Sequence, residues 1–163
     1  MSRSARPARL VAAASVMAGA LLLAACSPTI TTKPYAPSDG VRVNLTDQVR
    51  GINLMVVSEG EGEPGALLGA LANGSAEDVD FVLDTEGTQP ISLTVPAGQT
   101  VYLSADQAGD QAVDVQLDTV ATHPGGDLDA TLSGAGADED FFLPVMDGTL
   151  PEYAAWVPST SGV

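Results

Sequence analysis

The sequence predicts an all-β fold: an antiparallel two-sheet Greek-key sandwich, Ig-like or cupredoxin-like, behind a signal-peptide helix and a flexible tether. Three observations predict it. From Val41 onward, apolar and polar residues alternate with period 2 in short runs. Clusters of Gly, Pro, Asp and Asn separate those runs. No apolar pattern of helical period lasts beyond two turns. Many short strands with frequent turns fit two packed sheets.

The runs follow in order. Val41, Val43 and Leu45 alternate with Arg42 and Asn44. Ile52 to Ser58 is continuously apolar, as a central strand buried on both faces would be. The segment 66–72 (ALLGALA) has helical composition, but Glu63-Pro64-Gly65 and Asn73-Gly74-Ser75 bound it too closely for a helix. It reads as a strand leading through an Asn-Gly turn into the next. Val79, Phe81 and Leu83 alternate with Asp80 and Val82, and Ile91, Leu93 and Val95 with Ser92 and Thr94. Pro96-Ala97-Gly98 turns the chain into a strand over 100–104. Val113, Val115 and Leu117 form one further strand, and Leu128, Ala130 and Leu132 another. Phe141, Leu143 and Val145 end the series, with Pro144 predicting an edge position. These nine strands place the domain at 39–149. A tail over 150–163 follows, where Tyr153 and Trp156 predict either a short helical turn capping one end or a free segment.

The N-terminus carries the sharpest motif. Arg3, Arg6 and Arg9 form a basic start, and an apolar run extends from Leu10 to Leu23. Ala24-Ala25 then precedes Cys26, the only cysteine in the chain. This is the layout of a secretory signal, and Leu23-Ala24-Ala25-Cys26 reads as a bacterial lipobox. The competing readings are a membrane span and a soluble secreted protein. Leu10 to Ala25 is 16 residues, short of the ~20 a bilayer core requires. A cysteine at the very end of the apolar run disfavours an incidental one. The sequence thus predicts a signal peptide over 1–25, cleavage between Ala25 and Cys26, and a diacylglyceryl thioether on the Cys26 sulfur. Thiolate nucleophilicity is what that chemistry requires. Acyl chains contribute roughly 0.8 kcal/mol per buried methylene, and two give stable anchoring. Residues 26–38, with three prolines and several Ser/Thr, read as an extended tether.

Charge narrows the partners. All 21 acidic residues follow Cys26, but only three of the six basic residues do, Lys33, Arg42 and Arg50. The mature chain would carry three positive and 21 negative charges, a net of −18. That excludes nucleic acid as a partner, because nothing neutralises phosphates. It disfavours anionic headgroups, so the body is expected to stand off the membrane on its lipid. Like-charge repulsion favours a monomer and a soluble, mutually repelling surface. The expected partners are the membrane, through the lipid, and an envelope protein or small ligand that the sequence does not name. The expected location is the extracytoplasmic side of the cell membrane.

The stretch Val43 to Gly148 resembles the actinobacterial LpqE-like lipoproteins, themselves distantly similar to periplasmic copper chaperones of the PCu(A)C type. The matching residues are Met55-Val56-Val57-Ser58, the stretch from Gly65 to Asn73, Val95-Pro96-Ala97-Gly98-Gln99-Thr100, and Phe142-Leu143-Pro144-Val145-Met146. The resemblance implies a cupredoxin-like sandwich. In the chaperones copper(I) is held by His and Met, whose soft donors select it. After Cys26 this chain has one histidine, His123, and two methionines, Met55 and Met146. Met55 reads as core. His123 and Met146 are the metal candidates, one pair where a closed site needs more.

Other chemistry finds less. A hydrolase needs a nucleophile, a base and an orienting acid. Cys26 would be acylated, His123 is the only imidazole, and no Gly-x-Ser-x-Gly elbow occurs. Calcium needs converging oxygens. Asp127 and Asp129 flank Leu128 in an alternating strand and should line the solvent face, as should Asp138-Glu139-Asp140 and Glu59, Glu61 and Glu63. The sequence therefore predicts no enzyme and no cofactor beyond the lipid, with degenerate copper handling as the alternative.

Overall fold

A computed structural model describes residues 39–104 and 112–158. These residues belong to one compact unit. The predicted cleavage and lipidation residues, Ala25 and Cys26, lie outside the described residues, as does the tether.

The body is all-β. Its elements are β1 (Val41–Asn44), β2 (Val49–Ser58), β3 (Gly65–Asn73), β4 (Val79–Thr85), β5 (Ile91–Val95), β6 (Thr100–Leu103), β7 (Ala112–Val113), β8 (Gln116–Leu117), β9 (Asp127–Gly134), β10 (Ala137–Met146) and a single helical turn, α1 (Pro151–Ala154). The strands form one mixed, curled ten-stranded sheet in the order β5-β4-β9-β10-β2-β3-β6-β7, with β1 on β2 and β8 on β3. The core lies inside the curl. Phe81, Leu83, Leu128 and Leu132 from the β4–β9 side meet Leu54, Val56, Leu67 and Leu103 from the β2–β3–β6 side. Alternation sets this directly, since β4 buries every second residue from Val79 to Thr85.

Four sequence expectations change. Most pairings are antiparallel, but β10 runs parallel to β2 at Val145 and Met146, and β6 parallel to β7. Pro144 is not on an edge, because β10 lies between β9 and β2. The ring nitrogen is tolerated because Pro144 sits at the handover. It is the last residue paired with β9, and pairing with β2 starts one residue later. The Val145 N–H donates to the Gly126 carbonyl at 3.0 Å, so in the alternating ladder the Pro144 nitrogen faces the other way.

The run Val113–Leu117 is not one strand. It breaks at Asp114 and Val115 into β7 beside β6 and β8 beside β3. The chain steps from one neighbour to the other where β6 ends. Ser104 marks the step: its N–H donates to the Val113 carbonyl at 2.8 Å, and its hydroxyl oxygen accepts the Val115 N–H at 3.3 Å.

Asn73-Gly74 is not a hairpin turn. β3 does not pair with β4, which pairs with β5 and β9. The chain crosses between the two sides of the curl, and the buried Asn73 side chain holds the crossing. Its amide donates to the carbonyls of Glu77 at 2.7 Å and Val95 at 2.9 Å, while its oxygen accepts the Ser75 N–H at 3.0 Å. These bonds satisfy a polar group that burial would otherwise penalise.

Candidate functional site: an apolar groove under the C-terminal turn

The outward face of β2, β3 and β6 is the unusual surface. A β-bulge creates it. Ile52 pairs with Ala70 and Met55 with Leu68, so Asn53 and Leu54 together oppose the single Gly69. The pairing with β1 shifts at the same place. Asn53 adopts φ +53° and Gly69 φ +124°. A Cβ on Gly69 would lie 2.6 Å from the Asn53 carbonyl oxygen, so only glycine fits. The extra residue reverses the alternation along β2. Val49 and Gly51 face inward before it, Leu54 and Val56 after it. Met55 and Val57 are thereby turned outward.

Outward does not mean solvated. Met55, Val57, Ala66 and Leu68 form a second buried cluster with Tyr153, against which Met146, Trp156 and Val157 pack. In the described part of the tail, to residue 158, there is a helical turn, and it lies on the outward face of β2 and β3 instead of capping an end. Pro151 starts α1, where its missing N–H costs nothing. Tyr153 is only 9% exposed. Its hydroxyl donates to Asp39 Oδ2 at 2.5 Å, tying the turn to the point where the chain enters the body. That bond, with burial and the nearby charges of Asp39 and Glu152, pushes the Tyr153 hydroxyl up from 10.0 to about 12. Before the turn, the Asp147 carboxylate accepts the Thr149 N–H at 3.0 Å. Hydrogen bonds from Thr149 hold its pKa below the ordinary value.

Beside α1 the face opens into a groove of about 580 Å³, lined by Ile52, Met55, Leu68, Ala70, Tyr102 and Trp156 among others. Ile52 and Tyr102 are 37% and 40% exposed there. Among the described residues, Glu152 is the one ionisable carboxylate in the lining. The size and apolar character suit a small-molecule site.

The outward face of β4, β9 and β10 differs throughout. A groove of about 600 Å³ there is bordered by Asp84, Glu86, Asp129, Asp140 and Phe142. Phe142 is 68% exposed. Asp84, Thr131 and Asp140 lie in one row across the three strands. The Thr131 hydroxyl donates to Asp140 Oδ1 at 2.7 Å, and Thr94 to Asp80 Oδ1 at 2.6 Å. This is a solvated polar face whose carboxylates are served by neighbouring hydroxyls.

The residues singled out from sequence are distributed as follows. His123 is exposed, in a loop held to β10 by a bond from the Gly125 N–H to the Val145 carbonyl at 2.7 Å. Met146 is brought together with Met55 in the outer cluster. Met55 is buried but belongs to that cluster and not to the main core, a consequence of the bulge. Asp127, Asp129, Asp138, Glu139, Asp140, Glu59, Glu61 and Glu63 are all exposed. Among the described residues, no three His, Cys, Asp or Glu side chains gather as a group able to hold a metal ion. Among them, too, no helix is long and apolar enough to cross a membrane. Sequence reading missed the groove itself. Its available signal was the unbroken apolar character of both 54–57 and 66–72, which predicts burial on two faces. No protein-family model and no curated protein sequence matches this chain.

Proposed function

We propose that this chain is a non-catalytic cell-envelope lipoprotein, held at the outer face of the cytoplasmic membrane by lipid on Cys26 and serving as a binding or scaffold module. The observation that carries the reading is the order of parts along the chain. A basic start, an apolar run and Leu-Ala-Ala-Cys come first, and a Pro-rich stretch separates Cys26 from an all-β body that has its own core. In this reading the curled sheet is a two-sheet Greek-key sandwich of the LpqE-like kind, with β10 as the strand shared by both sheets. The acidic outer face keeps it soluble and monomeric beside the membrane.

Metabolic labelling with a fatty acid tests the anchor. Label enters the wild-type chain and not Cys26→Ala, and the variant is released from the membrane fraction or stays unprocessed. Equal labelling of both sinks the reading.

One observation favours copper handling as a second reading. Met55 and Met146, the two thioethers among the described residues, pack in one cluster beside Trp156. Soft sulfur donors suit copper(I). Titration against a copper(I) chelator decides it: binding tighter than micromolar, lost in His123→Ala and Met146→Ala, would replace the scaffold reading.

A further inference from the structure

We propose that the apolar groove beside α1 binds the acyl chain of a membrane lipid whose headgroup carries no net charge. Three observations lead there. The lining is mostly aliphatic and aromatic, with Asn53, Ser104 and Glu152 as its polar members, and Ile52 and Tyr102 leave apolar surface exposed. Its volume of about 580 Å³ lies within the range of small-molecule sites, roughly 300–1,000 Å³. Aliphatic surface without directional polar demand is what a hydrocarbon chain offers.

Charge selects the headgroup. Among the described residues no Lys or Arg lines the groove, and Glu152 stands at its side. An anionic lipid would find no partner there and would meet a carboxylate, whereas a neutral or zwitterionic one would not be repelled. The acidic residues Asp84, Glu86, Asp129 and Asp140 border the other groove, on the outer face of β4, β9 and β10.

The place where the described chain begins selects the source. Asp39 is bonded to Tyr153, the neighbour of Glu152, and the Gly40 N–H donates to the Asn53 side chain at 3.0 Å. Asn53 and Glu152 both line the groove. The body is therefore entered at the rim of the groove. Twelve residues, 27–38, separate Cys26 from that point, a number that bounds any span between them at about 43 Å. The supply of lipid from the anchoring membrane rests on the lipidation of Cys26; the chemistry of the groove does not. The expectation that the body stands off the membrane then applies to anionic headgroups and to the acidic face.

Trp156 is the only tryptophan of the chain and lines the groove, so its fluorescence reads occupancy directly. The full processed chain is placed in phosphatidylcholine vesicles with brominated acyl chains, and flotation is scored separately. The expected result is quenching of Trp156 by half or more against unbrominated vesicles, and at least tenfold weaker quenching for Ile52→Glu. Asp129→Asn, on the acidic face, quenches like the wild type. If the chain floats but Trp156 is unquenched, the groove assignment is overturned and the anchor stands. If the chain does not float, brominated lysophosphatidylcholine is added in solution: quenching then upholds the groove while the anchor fails, and none overturns both. Equal quenching in folded Ile52→Glu and Tyr102→Glu also overturns the assignment. So does a Trp156 shift produced only by a basic amphipathic peptide, which would make the groove a protein-docking site. Lipid-independent dimerisation that shields Trp156 would assign it to a second copy.

Discussion

The outward faces of the two sides of the curled sheet obey the same alternation and end in opposite chemistry. On β4, β9 and β10 the outward positions carry Asp80, Asp84, Asp129, Thr131 and Asp140 around the exposed Phe142, and the hydroxyls of Thr94 and Thr131 serve Asp80 and Asp140. On β2 and β3 they are Met55, Val57, Ala66 and Leu68, and the chain has to return to cover them with Tyr153, Trp156 and Val157. A sheet needs one apolar face to build a core. A second apolar face creates a demand for a cover, and where the cover stops short a groove remains. Among the described residues the C-terminal turn covers part of this face, and the groove lies along its edge.

Substitutions can break this contrast, beginning with the interior both sides share. Phe81, about 1% exposed in the main core, should cost about 3–5 kcal/mol when cut to alanine. Chemical denaturation reads that loss as a lower midpoint at unchanged slope. Gly69→Val attacks the bulge that turns Met55 and Val57 outward. A side chain at φ +124° that also meets the Asn53 carbonyl should cost about 3 kcal/mol. A near-neutral result would mean that β2 can shed its bulge and repack.

Tyr153→Phe isolates the cover. Losing one hydrogen bond to a charged acceptor should cost about 1–2 kcal/mol and loosen the turn, with Trp156 emission moving to the red. The wild type should show the same change with pH. The folded-state value of about 12 lies above the ordinary 10.0, so the folded chain holds its proton more tightly than the unfolded one. That contribution is fully present below pH 10 and is lost as pH rises toward 12. Tyr153→Phe should lack this step in Trp156 emission, and a step of equal size in both proteins would dissociate the turn from the Asp39 bond. The smallest effect belongs to the polar face. Asp129→Asn, at an exposed site, should change stability by no more than about 0.5 kcal/mol. A cost above about 2 kcal/mol in denaturation would show that this face is structural.

Strand order along the chain was largely legible because alternation is a local property. The runs at Val79–Leu83, Ile91–Val95 and Leu128–Leu132 need only their own residues to declare a buried side and a wet side. The segment 66–72 was readable as a strand because its bounding turns leave no room for a helix. Pro144 and Val113–Leu117 misled for one reason: each changes neighbour within a few residues, and no local pattern records a change of neighbour. The candidate groove was hidden in the same way. An unbroken apolar strand announces two buried faces without naming what covers the second.

By itself the sequence determined an all-β body, the imbalance of charge, and a cysteine at the end of an apolar run. Those follow from residue types and their spacing. Tertiary structure alone decided that Asn53 and Gly69 would share a bulge, that Met55 would face away from the main core, and that Tyr153 would reach back to Asp39 across 114 residues. Interactions between residues so distant along the chain depend on how the strands are ordered in space, and a pattern of period 2 carries no term for that order.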